Sequence, residues 1–185
     1  MVKEKLSVRN LEEGDIERIA DYWLKSDPAF LTGMGVDLAK LPDRAAWQTM
    51  LTEQLHQAIP DKSSYCMIWQ ADGQAVGHSN INKIRMGEDA FLHLHLWNGS
   101  KRRKGLGTDL LLATLPHFFR TFHLETLFCE PYARNPAPNK VLEKLGFQWI
   151  DAYVTTPGWI NFEQPVNRWQ LSYARFCELY PGAGL

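Results

Sequence analysis

The chain has 185 residues, 45% hydrophobic and 22% charged, with a formal net charge of −1; this fits one domain over 1–185 with a sizeable core, and no basic excess points to nucleic acid. No apolar run is long enough to span a membrane and the N-terminus has no apolar signal core, while Cys66, Cys129 and Cys177 are odd in number and far apart. A cytoplasmic, reducing setting without a disulfide framework or zinc site is the expectation.

Residues 6–9 alternate like a short strand. A helix starts at Gly14-Asp15, with Ile16, Ile19, Ala20, Trp23 and Leu24 on one face. Residues 28–42, punctuated by glycine and proline, read mostly as loop, and a second helix begins after Pro42-Asp43 with Trp47, Met50, Leu51 and Leu55 as its apolar stripe. Strands follow at 64–71, 74–84 and 90–97, the first two joined by an Asp72-Gly73 hairpin turn. Residues 108–122 are helical, with Leu111, Leu112, Leu115, Phe118, Phe119 and Phe122 at three- and four-residue steps. A strand at 124–130, a short helix at 139–145 stopped by Gly146, and strands at 147–154 and 168–173 complete the chain. The order β-α-α-β-β-β-α-β-α-β-β predicts an α/β sandwich around one mixed sheet.

The most informative stretch is Trp97-Asn98-Gly99-Ser100-Lys101-Arg102-Arg103-Lys104-Gly105-Leu106-Gly107-Thr108. A strand ends, a basic turn follows, and a helix opens after two glycines. Helix N-termini carry unpaired N–H groups and positive potential, and glycines let a phosphate approach that backbone. The design suits a pyrophosphate. It departs from the Walker pattern, and Leu110 stands where Gly-x-Gly-x-x-Gly needs its last glycine. A solvated basic turn is the plainer alternative.

Arg102-x-x-Gly105-x-Gly107 after a strand resembles the acetyl-CoA loop of the GNAT superfamily of N-acetyltransferases. The segment from Tyr132 to Phe147, with Asn135 and Val141-Leu142-Glu143-Lys144-Leu145-Gly146-Phe147, is similar to that superfamily's second cofactor motif, above all in the branch that acetylates ribosomal-protein N-termini. The resemblance implies the GNAT fold: a central mixed, mostly antiparallel sheet flanked by helices. It also implies acetyl-CoA as cosubstrate. His95, Leu96 and Trp97 would offer backbone groups to the pantetheine arm. Arg102, Arg103, Lys104, Gly105, Leu106, Gly107 and Thr108 would hold the pyrophosphate, and Asn135 would bond the pantetheine arm, unless it is only a turn-former before Pro136. Many GNAT enzymes carry a tyrosine acid where this chain has Leu142, and the ribosomal branch has a serine where it has Pro138. Neither can donate a proton.

Acetyl transfer to an amine needs a neutral amine, a polarised carbonyl and a proton for the departing thiolate. Strand 91–97 alternates, putting His93, His95 and Trp97 on one face. His95 is the candidate base, against the reading of a hydrogen-bonded core histidine. Glu130 and Tyr132, just past the next strand, are a second candidate base and a candidate acid, or caps of the turn at Pro131. His78, His93 and His95 lack a carboxylate or cysteine at metal-binding spacing, so no metal is expected. The segment 155–167 reads as a long irregular loop; Trp159 and Phe162, with Phe30 from the early loop, are expected to wall an acceptor pocket, or to form a dimer contact. An N-acetyltransferase acting on a small amine or a peptide N-terminus is the leading reading. An acetyl-CoA-binding regulatory module with weak or lost catalysis is the alternative. Acetyl-CoA and an amine are the expected partners, with a homodimer open and neither nucleic acid nor membrane expected.

Overall fold

The computed structural model describes residues 4–97 and 105–183. Seven strands form one sheet in the order β1-β2-β3-β4-β5-β7-β6: β1 (Leu6–Asn10), β2 (Ser64–Ala71), β3 (Gln74–Arg85), β4 (Asp89–Leu96), β5 (Thr126–Cys129), β6 (Gln148–Thr155) and β7 (Gln164–Ser172). Every neighbouring pair is antiparallel except β4 and β5. The helices are α1 (Glu13–Lys25), α2 (Pro28–Gly33), α3 (Arg44–His56), α4 (Leu106–Phe122), α5 (Pro136–Lys144) and α6 (Tyr173–Leu179). This is the expected mixed, mostly antiparallel sheet flanked by helices. No helix among the described residues is long and apolar enough to cross a membrane.

Strand alternation splits the core in two. On β2, Met67, Trp69 and Ala71 face the layer containing α4, while Cys66 and Ile68 face α1 and α3. On the first side α4 buries Leu110, Leu111, Leu115, Phe118, Phe119 and Phe122, and the Trp69 indole N–H donates to Thr114 Oγ1 at 2.9 Å. On the second side Ile16, Ile19, Ala20 and Trp23 of α1 pack with Trp47 and Leu51 of α3. Asp15 fixes the start of α1: Arg9 of β1 donates twice to its carboxylate, at 2.5 and 2.9 Å, and Glu12 N–H donates to it at 3.1 Å. The β2–β3 turn has Asp72 and Gly73 at φ +50° and +75°, the mirror-image turn whose twist suits a two-residue hairpin.

Three expectations need correction. The early loop contains α2, with Pro28 at its first turn and Asp27 Oδ1 accepting from Phe30 N–H at 2.9 Å. The last strand starts at Gln164 rather than 168, because its alternating Pro165, Val166 and Asn167 pair with β6; the irregular loop shrinks to 156–163. Tyr173, expected in a strand, opens α6 instead, because Ser172 Oγ caps it by accepting from Arg175 N–H at 3.2 Å and Phe176 packs against Phe119.

Candidate functional site

The sheet opens between β4 and β5, the one parallel pair among the described residues. β4 and β5 share three residue pairs, Asp89↔Thr126, Ala90↔Leu127 and Phe91↔Phe128. Beyond them β4 stays paired with β3 to Leu96, while the chain after β5 follows β7, with Pro131 O accepting from Asn167 N–H at 3.2 Å and Ala133 N–H donating to Pro165 O at 2.8 Å. The Cys129 thiol donates to the Leu92 carbonyl at 3.1 Å and marks the vertex. Trp97 N–H donates to Val76 O at 2.8 Å, and the His93 carbonyl accepts from Ser79 Oγ at 2.7 Å. Backbone groups alternate along an antiparallel strand, so those of His93, His95 and Trp97 point to β3, and those of Leu94 and Leu96 point into the opening. Of the three backbone positions expected there, Leu96 alone is turned to the gap; Leu94 joins it. His95 and Trp97 contribute side chains to the face packed on α1.

The N-terminus of α4 belongs to the same region of the chain. Gly105 is its N-cap, in the left-handed conformation at φ +80°, and accepts from Thr108 N–H at 3.0 Å. Leu106 and Gly107 open the first turn, where N–H groups lack intrahelical partners. Among the described residues, a Cβ at Gly105 would meet nothing within 4 Å, and one at Gly107 would meet only Val141 Cγ2 at 3.9 Å. The glycines therefore leave this backbone open to a ligand. Arg102, Arg103 and Lys104 lie outside the described residues.

Asn135 is the N-cap of α5, its Oδ1 accepting from Ala137 N–H at 3.3 Å, and it also lines the cavity described next. Sequence reasoning missed Asn139, one helical turn further on. Its amide donates to Asn135 O (2.8 Å) and Tyr132 O (3.2 Å), and its Oδ1 accepts from Asn167 Nδ2 and Trp169 Nε1, both at 2.9 Å. Asn139 thereby holds the turn carrying Tyr132 and Asn135 against β7.

A cavity of about 660 Å3 lies on the histidine face, bounded by α1, α3, β3, β4, the end of β5 and the 156–163 loop. His78, His93 and His95 stand side by side across the paired strands β3 and β4, with the His78 and His95 rings stacked 4.7 Å apart. The His95 Nδ1 meets the Tyr22 hydroxyl at 3.2 Å, and its ring packs edge-on to Trp23. The Trp97 indole N–H donates to His78 Nδ1 at 2.7 Å, which fixes that nitrogen as an acceptor. Burial lowers all three: His78 to about 3, His93 to about 4 and His95 well below the ordinary value, with neighbouring imidazoles or Lys83 lowering them further. His95 is thus a neutral, tyrosine-bonded imidazole of low basicity. No three His, Cys, Asp or Glu side chains among the described residues are grouped to hold a metal ion.

Glu130 and Tyr132 diverge in circumstance. The Glu130 carboxylate accepts from the Tyr153 hydroxyl and pairs with Arg168 at 3.5 Å, while Arg168 lies 4.4 Å over the Phe128 ring. It is committed to tying β5 to β6 and β7. Tyr132 bridges to Val166, packs edge-on to Phe162, and its hydroxyl has no hydrogen-bond partner among the described residues. Of the expected acceptor wall, Trp159 lines the cavity, half-exposed and tilted against Trp47 at 5.8 Å. Phe30 and Phe162 do not line it, because Phe30 packs on Tyr22 and Phe162 on Tyr132.

The family model described as the acetyltransferase (GNAT) domain matches residues 5–148. The chain belongs to the GNAT acetyltransferase family. RimL, a ribosomal-protein alpha-N-acetyltransferase solved in complex with coenzyme A, is similar with a TM-score of 0.77 and 15% identity, over 95% of this chain and 98% of that one. Spermidine N-acetyltransferase from Vibrio cholerae, solved with CoA and spermine, is similar with a TM-score of 0.75 and 16% identity, over 92% and 97%. RimJ from Mycobacterium smegmatis, solved with a CoA disulfide, has a TM-score of 0.76 and 16% identity, over 97% and 86%. At these identities the likeness is one of fold. No curated protein sequence matches this chain.

Proposed function

We propose that this protein is an acetyl-CoA-dependent N-acetyltransferase that acetylates a primary amine, either a small amine or a peptide N-terminus. The observation that carries this reading is the opening of β4 from β5 after three paired residues, beside a cavity that Tyr132 and Asn135 line. The open backbone at Gly105 and Gly107 supports pyrophosphate binding at the start of α4.

Bound acetyl-CoA supplies the thioester: a C–N bond to the amine forms, the C–S bond breaks, the nitrogen loses a proton and the sulfur gains one. The Leu94 N–H, turned into the opening, can bond a developing oxyanion. The Tyr132 hydroxyl, without a hydrogen-bond partner among the described residues, is the donor to the sulfur. It takes over from the tyrosine position that Leu142 occupies, since Leu142 is fully buried in the core. Glu130 is held by Arg168 and Tyr153, and His95 by Tyr22, so neither is the base. The amine loses its proton before it docks.

A second reading, a CoA-binding module without turnover, is favoured by the buried Leu142 and by Pro138 inside α5. Thiol release from acetyl-CoA with a panel of amines separates the two. In the enzyme, Tyr132→Phe lowers kcat by about 100-fold while the acetyl-CoA KM stays within a few-fold. Tight CoA binding with no thiol release from any amine would establish the module.

A further inference from the structure

Five buried side-chain polar atoms lack a hydrogen-bond partner among the described residues: Trp47 Nε1, Gln54 Oε1, Asn82 Oδ1, His93 Nε2 and Gln164 Oε1. They come from α3, β3, β4 and β7, yet every one belongs to a residue that lines the same cavity. An unpaired buried polar group costs free energy, and native proteins carry few of them. Five scattered in sequence and gathered on one cavity wall mark a surface built to be satisfied by a ligand.

Their chemistry defines that ligand. Trp47 can only donate. Gln164 can only accept, because its amide nitrogen donates to Gly35 O at 3.0 Å and Phe162 O at 3.2 Å, which fixes the oxygen as the free end. Asn82 and Gln54 present carboxamides whose side chains make no hydrogen bond among the described residues, and His93 presents a neutral imidazole nitrogen. None of the five is charged. The acidic and basic residues of the wall other than histidine are Glu53, Lys83 and Glu130. Glu130 is consumed by Arg168 and Tyr153; Glu53 and Lys83 are exposed and opposite in sign. A polycation finds no set of free carboxylates here, and an apolar amine would leave the five atoms unpaired.

We infer that the acceptor is an amine carried on an uncharged body rich in N–H and O–H groups, bonded by Asn82, Gln54, Gln164, His93 and Trp47. This deepens the N-acetyltransferase reading and rests on it. The cavity volume suits a small molecule or the first residues of a peptide. An amino sugar and a dipeptide amide present this chemistry from two sources. The specificity comes from the wall itself: a site with buried polar groups rejects a ligand that cannot pair them.

The test measures kcat/KM at saturating acetyl-CoA for glucosamine, alanyl-alanine amide, spermidine and hexylamine, with the wild type and with Asn82→Leu and Gln54→Leu. The expected result is at least tenfold preference for glucosamine or the dipeptide amide over both spermidine and hexylamine. Each variant raises the KM of the preferred amine about tenfold, leaves the acetyl-CoA KM unchanged and lowers or does not raise the hexylamine KM. Preference for spermidine or hexylamine, or variants that affect every amine equally, overturns the inference. Which of glucosamine and the amide wins assigns the source. Binding is read in parallel from tryptophan fluorescence of the CoA-loaded protein. Binding of a polar amine that Asn82→Leu abolishes, without turnover, overturns the transferase reading and upholds the wall. Absence of binding by both polar amines overturns the wall.

Discussion

Lowering the pH from 7.5 to 5.5 should destabilise this protein through its histidine layer. His78, His93 and His95 are neutral in the folded chain and lowered below the ordinary imidazole value, to about 3 and about 4 for the first two. The unfolded chain takes up a proton at each below about pH 6.5, whereas the folded chain does not, so stability rises with pH across this window and is complete above it. Over these two pH units each fully depressed imidazole costs about 1.4 kcal/mol. His78, buried at 4% exposure and holding the Trp97 indole proton on Nδ1, should contribute that in full. His93 and His95 are half-buried on the cavity wall, where cavity solvent screens an imidazolium, and contribute part. The sum is about 2–4 kcal/mol for the layer. His117, lowered by partial burial and by Arg120, adds in the same direction. Urea unfolding at pH 7.5, 6.5 and 5.5 reads the loss, and His78→Gln, which keeps an acceptor for Trp97, should remove about 1 kcal/mol of it. A stability independent of pH over this range, or an unchanged slope in His78→Gln, would refute the reasoning.

Gly107→Glu should weaken CoA binding about tenfold or more in calorimetry, a loss of at least ~1.4 kcal/mol, while thermal unfolding stays near wild type because, among the described residues, a Cβ there meets only Val141 at 3.9 Å. Trp159→Ala should raise the acceptor KM by about fivefold, since the ring closes the cavity over Trp47, without altering acetyl-CoA affinity; the loss corresponds to about 1 kcal/mol of contact.

Elements with strong local periodicity were legible in the sequence, and elements defined by distant contacts were not. The alternation of 91–97, the Asp72-Gly73 turn and the leucine and phenylalanine stripe of α4 each encode their structure within a few residues. The seven residues of α6 are too few for a helical stripe to emerge, and their helix depends on the Ser172 cap and on Phe176 reaching Phe119. For α2 the cap at Asp27 and Pro28 is visible, but six residues amid glycines gave no periodicity. At the site, residue types pointed to β4, Tyr132 and Asn135. Sequence could not reveal that Tyr22, 73 positions before His95, reaches its Nδ1, or that Arg168 claims Glu130. Such pairings follow from α1 lying across the sheet and β7 lying beside β5. Asn139 carried a faint signal, its spacing of four from Asn135 on one helix face.

The histidines that looked like bases in the sequence are weak bases in the fold, and the cause bears on the acceptor as well. The wall that holds His78 near 3 and His93 near 4 contains Trp23, Trp47 and Trp159, and its burial disfavours any cation placed against it. An ammonium entering the cavity meets the same penalty. Glu130 is already paired, and Glu53 is exposed to solvent, so neither carboxylate offsets it. The environment that removes a strong protein base therefore also selects the neutral amine, which is the reactive form. It follows that kcat/KM should rise about tenfold per pH unit below the acceptor's own pKa and level off above it. With two acceptors whose pKa values differ by about two units, the inflection should move by the same amount. An inflection fixed near pH 6–7 for both amines, and lost in His93→Gln or His95→Gln, would mean that an imidazole takes the proton after all and that docking precedes deprotonation.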